Sequence, residues 1–408
     1  MEEPTHRLKD VLKTVLEELN FDPNSEQKFQ QIVAHLLLSC LYRVTVHSQN
    51  QKYSDKKFII KTLRQDPALN VKFETKMFFR NESLFYKKLV ESFIILQDLY
   101  LDDKYERFLS FPKCYKSLSS DEFSVIVLED LEERGFKESS RLKSLTLSEL
   151  FLVMKELGRF HALTLFFKYK KPTVFSDLRS MFKEPTYRKE FVDKTFNAWA
   201  SSVAAWVLKL AKENFPPESE YIKKLETFAT DRMSYIMLDV VRPKEEDEEF
   251  NVFNHGDLWV NNLLFHYPNV ESEDDKKPDK MCFIDFQQCR YGSIGLDLSA
   301  ALFLLTDQET RSKHRDELLG IYHHSLSEIL IQFGYDSTKI FPYSAVISQL
   351  EKYALYGLGV SFLCLSYNLD NASEEDVQDD GKYVKEVTED CRKRILDVIK
   401  ESVDFGYL

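Results

Sequence analysis

Two short apolar runs, LLFHY (Leu263 to Tyr267) and MCFIDF (Met281 to Phe286), flank the Pro- and Asp-rich stretch PNVESEDDKKPDK. Runs of that length bounded by turn residues read as the two strands of a hairpin. Antiparallel pairing sets the start of one strand beside the end of the other. The octet HGDLWVNN, His255 to Asn262, stands directly before the first strand, and Asp285 lies at the end of the second. The pairing therefore gathers Asp257, Asn262 and Asp285 at one end of the hairpin. Any fold open to this chain must hold those polar side chains together against an apolar background.

The rest of the sequence surrounds this hairpin with helices. Leu8, Val11, Leu12, Val15, Leu16 and Leu19 recur at helical spacing and predict an amphipathic first helix ending near NFDPN. A second helical stretch is expected after it. The period then changes: LYRVTVHSQ and KKFIIKTL are rich in β-branched residues and joined by NQKYSD, which reads as an antiparallel pair. A helical run, FETKMFFRNESLFYKKLVESF, and a third β-type run, FSVIVLEDL, complete a small α+β unit at residues 1–132. Residues 133–408 read as mainly helical, with one β interruption at 251–286. They open at Thr146 and Glu149, which have the spacing of a reciprocal capping box.

Composition removes several classes of function. The net charge of −12 and the acidic runs KEEDEE and ESEDD, read as solvated loops, exclude a phosphate-backbone partner, so no nucleic acid is expected. Six scattered cysteines without a C-x-x-C pair indicate neither a disulfide framework nor a zinc site, and read as reduced thiols. The acidic start lacks an apolar leader, and the longest apolar runs, AALFLL and GVSFLCL, are too short to span a bilayer. The expectation is a cytoplasmic protein with no membrane segment. Its 32 Phe and 20 Tyr fill helix interfaces, and some are available to line a pocket.

The gathered residues have a definite chemistry. Asn262 and Asp285 offer hard oxygen ligands, which suit Mg²⁺ when phosphates and water complete its shell. Asp257 is then a separate carboxylate able to orient a hydroxyl and accept its proton. The pattern H-x-D-x-x-x-x-N followed by a strand-terminal D-F matches a kinase catalytic loop and metal motif. That chemistry also requires a cation for the α and β phosphates and a helical carboxylate to orient it. Lys61 in FIIKTL and Glu82 in FFRNESLFY stand in the right order. A metal-dependent hydrolase built on His255, Asp257 and Asp285 is the competing enzymatic reading, and it lacks the usual cluster of His and carboxylate ligands.

HGDLWVNN, FIDFQ with RYGSIGLDL, VIVLEDL, the GRFHA helix and FFRNESLFY together resemble the insect ecdysteroid kinase-like proteins, in the aminoglycoside phosphotransferase and choline kinase branch of the kinase-like superfamily. The resemblance implies a bilobal, protein-kinase-like α+β fold with a small β-rich N-lobe and a large, mainly helical C-lobe. It implies ATP and Mg²⁺ in the cleft and a small-molecule hydroxyl as acceptor. Carried over, Asp257 is the catalytic base, Asn262 and Asp285 bind Mg²⁺, and Lys61 and Glu82 form the phosphate-orienting pair. Val127, Leu128, Glu129, Asp130 and Leu131 form the hinge that meets adenine. His255 anchors the catalytic loop. Asp297 braces it and also has the position of an N-cap before LSAALFLL. His161 of GRFHA reads as a packed helix residue.

The sequence departs from the kinase pattern in two places. The stretch expected to cover the phosphates, within 33–44, contains no glycine, and Ser39 and Cys40 stand where a turn is expected. A catalytically silent binding protein of the same fold is therefore the alternative. Gly256 replaces the Arg of H-R-D and no A-P-E follows Asp285, which disfavours a protein substrate. The bulky segment Phe341 to Leu369, with Glu351 its one acid before Asp370, predicts an apolar wall for a hydroxylated apolar acceptor such as an ecdysteroid.

Overall fold

The computed structural model describes residues 6–22, 25–32, 39–48, 54–64, 66–120, 123–139, 143–229, 232–268, 277–366 and 387–408. Helix α1 (His6–Glu18) buries Leu8, Leu12, Val15 and Leu16, the stripe that its sequence period predicts. It packs on one face of a five-stranded antiparallel sheet of order β1-β2-β3-β5-β4. These strands are β1 (Gln27–Ile32), β2 (Ser39–Val46), β3 (Lys56–Leu63), β4 (Cys114–Ser119) and β5 (Ser124–Glu129).

The expected pair is β2 with β3, in register from Ser39 opposite Leu63 to Val46 opposite Lys56. Two edge strands depart from the sequence reading. The expected second helical stretch contains β1, and β4 was not anticipated. Both are only partly buried, so neither carries the apolar alternation of a central strand, and each is held by pairing to a more buried neighbour. Ser39 and Cys40 open β2 instead of forming a turn, and residues 33–38 of the predicted phosphate-covering stretch lie outside the described residues.

Between β3 and β4 run α2 (Pro67–Lys72), α3 (Thr75–Leu84) and α4 (Glu91–Tyr100), the last two joined by a π-helical segment at Phe85–Val90. After β6 (Phe136–Glu138) the chain is helical through α5 (Leu147–Lys170), α6 (Pro172–Met181), α7 (Lys189–Phe191), α8 (Asn197–Asn214), α9 (Glu220–Phe228) and α10 (Met233–Val241). Thr146 and Glu149 form the predicted capping box at the start of α5. The β interruption comprises β7 (Asn251–Asn254), β8 (Leu263–His266), β9 (Lys280–Phe283) and β10 (Arg290–Ser293), and so extends past the expected limit at residue 286. The hairpin is present: Leu263 faces Phe283 and His266 faces Lys280. Its connecting residues 269–276 lie outside the described residues.

Helices α11 (Ile294–Leu305), α12 (Gln308–Gln332), α13 (Ser337–Ile340), α14 (Tyr343–Leu365) and α15 (Glu389–Asp404) follow. The two larger of three core clusters match the expected α+β architecture, a small sheet unit and a larger, mainly helical part. Every residue of α11 is buried, so this helix forms the axis of the larger core. Close approach to α14 depends on Gly357, where an added Cβ would sit 2.5 Å from the Ser299 carbonyl oxygen. Gly357→Ala is expected to lower unfolding stability by about 1–3 kcal/mol, the usual cost of overpacking a tight core. A thermal midpoint equal to wild type would show that the two helices can separate freely.

Candidate active site

The site is assembled where β3, α3 and the β8/β9 hairpin meet. Lys61 points from β3 into the interior, where its Nζ lies 2.6 Å from Glu82 Oε2 and 2.8 Å from Asp285 Oδ1. Burial alone would remove its proton, but Asp285 and Glu82 raise its affinity for it above the ordinary lysine range. Burial pushes the Glu82 carboxyl up to about 7 against the opposing charge of Lys61. Glu82 also accepts a hydrogen bond from the backbone N–H of Phe286. The ring of Phe286 stacks on Phe85 with centroids 3.4 Å apart, so the first residue of the π-helical segment packs on the D-F pair. Such π-segments are frequent at functional sites.

The octet and Asp285 converge as the hairpin requires. Asn262 Nδ2 donates to the Asp257 backbone carbonyl at 3.0 Å and to Asp257 Oδ2 at 3.1 Å, while Ile284 N–H donates to the Asn262 carbonyl at 3.0 Å. Asp285 has φ of 63°, a left-handed conformation rarely taken by a residue other than glycine. Backbone of this kind costs about 1–3 kcal/mol and persists where surrounding contacts enforce it. Burial first, and then the charge of Asp285, push the Asp257 carboxyl up to about 7.

His255 links the two strands. Its Nδ1 accepts from the Asp257 N–H at 3.2 Å and its Nε2 bonds to the Ile284 carbonyl at 3.0 Å. A carbonyl can only accept, so Nε2 carries the hydrogen and the ring is neutral. Burial holds its pKa below the ordinary value. Asp297, fully buried, accepts from the His255 N–H at 2.7 Å and the Gly256 N–H at 3.0 Å. Burial would raise its carboxyl, yet hydrogen bonds from His161 and these amides hold it below the usual range. Its expected role as an N-cap does not hold: α11 begins at Ile294 with Ser293 as cap, and Asp297 lies within the first turn.

Sequence reasoning missed several members. His161 lies 3.3 Å from Asp297 and 2.8 Å from the Tyr322 hydroxyl, which makes it a support for the brace as well as a packed residue. Arg290 is buried and donates to Glu184 at 2.8 Å, Gln288 at 2.9 Å, the Tyr356 hydroxyl at 2.7 Å and the Gly256 carbonyl at 3.2 Å. Tyr356 in turn donates to that carbonyl at 3.1 Å. Gly256 has φ of +80°, and a Cβ there would lie 2.3 Å from the Gln288 carbonyl oxygen. A side chain at position 256 has no room in this loop, and Arg290 reaches the Gly256 carbonyl from β10. Arg290 was visible beside the D-F motif, but its partner Glu184 is 106 residues away and carries no local signal.

Of the expected hinge, Val127 and Leu128 are buried and flanked by β3 and β4, and Glu129 faces Phe58 of β3. Asp130 caps the turn at Leu131–Arg134, and its Oδ2 pairs with Arg43 at 2.7 Å. The expected acceptor wall is mostly core: Tyr353, Leu358 and Phe362 of α14 are buried against other helices. Tyr356 and Cys364 lie close enough to feel the charge of Asp257, whereas residues 367–370 fall outside the described residues.

The donor set suits a hard divalent ion. Asp285 brings a carboxylate, and Asn262, whose amide nitrogen is committed to Asp257, turns its carbonyl end away from that residue. Two carboxylates forced together in a buried site, one with its pKa near 7, is the electrostatic condition that a bound cation relieves. Among the described residues no group of three His, Cys, Asp or Glu side chains forms a metal cluster, which the hydrolase reading would need.

Comparison with known proteins follows this geometry. The chain is similar to the solved structure of a Plasmodium vivax ethanolamine kinase, at 13% identity and a TM-score of 0.45 over 99% of this chain and 91% of the other. It is also similar to a choline kinase from Streptococcus pneumoniae, at 14% identity and a TM-score of 0.34 over 85% and 100%. No curated protein sequence matches it significantly. The model of the ecdysteroid kinase-like family matches residues 36–335, which include Lys61, Glu82, the octet and Asp285, and the chain belongs to that family.

Proposed function

We propose that this protein is an ATP- and Mg²⁺-dependent phosphotransferase acting on the hydroxyl of a small molecule, an ecdysteroid or another hydroxylated apolar compound. The observation that carries this reading is the Lys61 ammonium held between Glu82 and Asp285, with the Asp257 carboxylate tethered to Asn262 beside them. A cation on a strand, a carboxylate that orients it, and a separate carboxylate for the acceptor are the elements of phosphoryl transfer. Family membership supports the same reaction class.

In this reading the small unit, residues 1–132, carries the nucleotide and residues 133–408 carry the acceptor. Asp130 and Leu131, beyond the paired part of β5, meet the adenine edge. Lys61 meets the α and β phosphates. Asp285 and Asn262 would hold Mg²⁺, which supplies charge neutralisation at the phosphate oxygens. Asp257 orients the acceptor hydroxyl and accepts its proton, and His255 with Asp297 fixes the backbone that presents it. Free thiols at Cys114, Cys282, Cys289, Cys364 and Cys391 support a reducing, cytoplasmic location, and among the described residues no helix is long and apolar enough to cross a membrane.

Incubation with Mg-ATP and hydroxylated steroids, glycosides and phenols, with products read by mass, tests the assignment. Binding of ATP without turnover of any of them would favour the catalytically silent reading, and absence of ATP binding would sink the phosphotransferase and leave a silent protein that binds another ligand.

Asp257→Asn should separate stability from activity. An unfolded aspartate ionises near pH 4. In the folded, metal-free protein this carboxyl ionises at about 7, so stability is lost as pH rises between those values. At pH 8 with a chelator the variant should be more stable than wild type by about 1–3 kcal/mol, and the difference should shrink toward pH 5. Its phosphoryl transfer should fall by roughly 10²- to 10⁴-fold. A lower thermal midpoint at pH 8, or an unchanged rate, contradicts the assignment.

Asp285→Ala should leave a folded protein whose affinity for ATP no longer depends on Mg²⁺. Calorimetric titration with and without the ion checks this, and retained Mg²⁺ dependence would remove Asp285 from the metal site.

A further inference from the structure

Asn81 stands next to Glu82 on α3, is fully buried, and takes no part in the chemistry described above. Its Nδ2 donates to the Lys183 carbonyl at 2.6 Å and to the Cys289 carbonyl at 3.3 Å, while its Oδ1 accepts from the Lys183 N–H at 3.3 Å. A side-chain amide is the group that can serve both polarities of one backbone residue. The segment so held, residues 183–188, is tied to the catalytic loop. Glu184 accepts from Arg290 and from the backbone N–H groups of Thr186 and Tyr187, and Arg290 reaches the Gly256 carbonyl, one residue before Asp257. Thr186 donates to Gln288 at 2.8 Å, and the Tyr187 ring lies 5.3 Å from the Arg290 guanidinium.

Further contacts attach α2, the start of α3 and Phe78 of α3 to this region. Arg188 pairs with Glu74 at 2.6 Å, where Glu74 precedes α3 in a left-handed conformation with φ of 49°. The Phe78 and Phe191 rings meet at 6.0 Å, and Thr195 donates to the Lys72 carbonyl at 3.0 Å. One face of α3 therefore orients Lys61 through Glu82, and the neighbouring position holds the segment that is linked through Arg290 to the Gly256 carbonyl, one residue before Asp257. A rotation or shift of α3 breaks both sets of contacts together.

Resting on the phosphotransferase reading, we propose that Asn81 is a positioning residue that couples the nucleotide-side ion pair to the acceptor-side segment 183–188. Nucleotide held at Lys61 fixes α3, and α3 through Asn81 fixes the wall against which the acceptor is presented. The coupling runs through a rigid helix with two anchored faces, so it needs no large movement.

Hydrogen exchange read by mass spectrometry tests this on the full chain, with and without AMP-PNP and Mg²⁺. In wild type the nucleotide is expected to slow exchange about fivefold or more both at 82–88 and at 183–189. In Asn81→Ala the slowing at 82–88 should persist and that at 183–189 should vanish. Asn81→Asp, which keeps the acceptor and loses the donor, should behave like Asn81→Ala, and a thermal midpoint near wild type shows that it is folded. Equal protection of 183–189 in wild type and both variants would overturn the proposal, as would its absence in wild type when 82–88 is protected. If nucleotide protects neither segment in wild type, the phosphotransferase reading fails, and the nucleotide coupling fails with it. Loss of protection at 183–189 confined to the variants would support the coupling.

Discussion

Three carboxylates, those of Glu82, Asp285 and Asp297, lie buried within one small region, with the half-buried Asp257 beside them and Lys61 and Arg290 as the principal cations. Removing an ion from water costs several kcal/mol, and attraction to a partner offsets this only with good geometry and satisfied hydrogen bonds. Much of the architecture follows from this constraint. Asp297 is stable as an anion because two backbone N–H groups and His161 converge on it. Glu82 and Asp285 share Lys61. Asp257 receives less compensation, a single amide from Asn262 with Arg290 nearby, and its pKa is displaced accordingly.

The incomplete compensation of Asp257 is informative because its neighbours are well supplied. A fold selected for stability alone would place an amide or an apolar group there. Retaining a carboxyl whose pKa is pushed up to about 7, beside an Asp285 in a left-handed backbone conformation, stores free energy at one place in the molecule. Groups whose pKa is displaced by burial and a like charge cluster at functional sites, and this one is tethered to Asn262 at the hairpin end that carries Asp285.

Rigidity around the site comes from both parts of the chain. Arg290 holds Gly256 from β10, Asn81 holds residues 183 and 289 from α3, and the Phe85–Phe286 stack joins the π-helical segment to the D-F pair. Each tie joins elements distant in sequence. The loop bearing Asp257, the strand that leads to Asp285 and the helix bearing Glu82 are thus tied into one packed unit.

The sequence by itself determined the local elements and the central constellation. Thr146 and Glu149 marked the start of α5, the β-branched runs marked β2, β3 and β5, and the turn-rich segment between LLFHY and MCFIDF implied a hairpin that brings Asp257, Asn262 and Asp285 together. These features are readable because period, capping and antiparallel pairing act over short distances. The edge strands β1 and β4 were not readable, since a partly exposed edge carries no apolar alternation of its own and exists through its neighbour. The bulky residues of α14 looked like a pocket wall and are largely core, because composition does not say which face of a helix meets another helix. Only the tertiary structure decided that Arg290 holds the Gly256 carbonyl, that His161 supports Asp297, and that Asn81 ties α3 to residue 183. Each of those contacts joins residues whose partners lie 34 or more positions apart, where spacing along the chain carries no information about proximity.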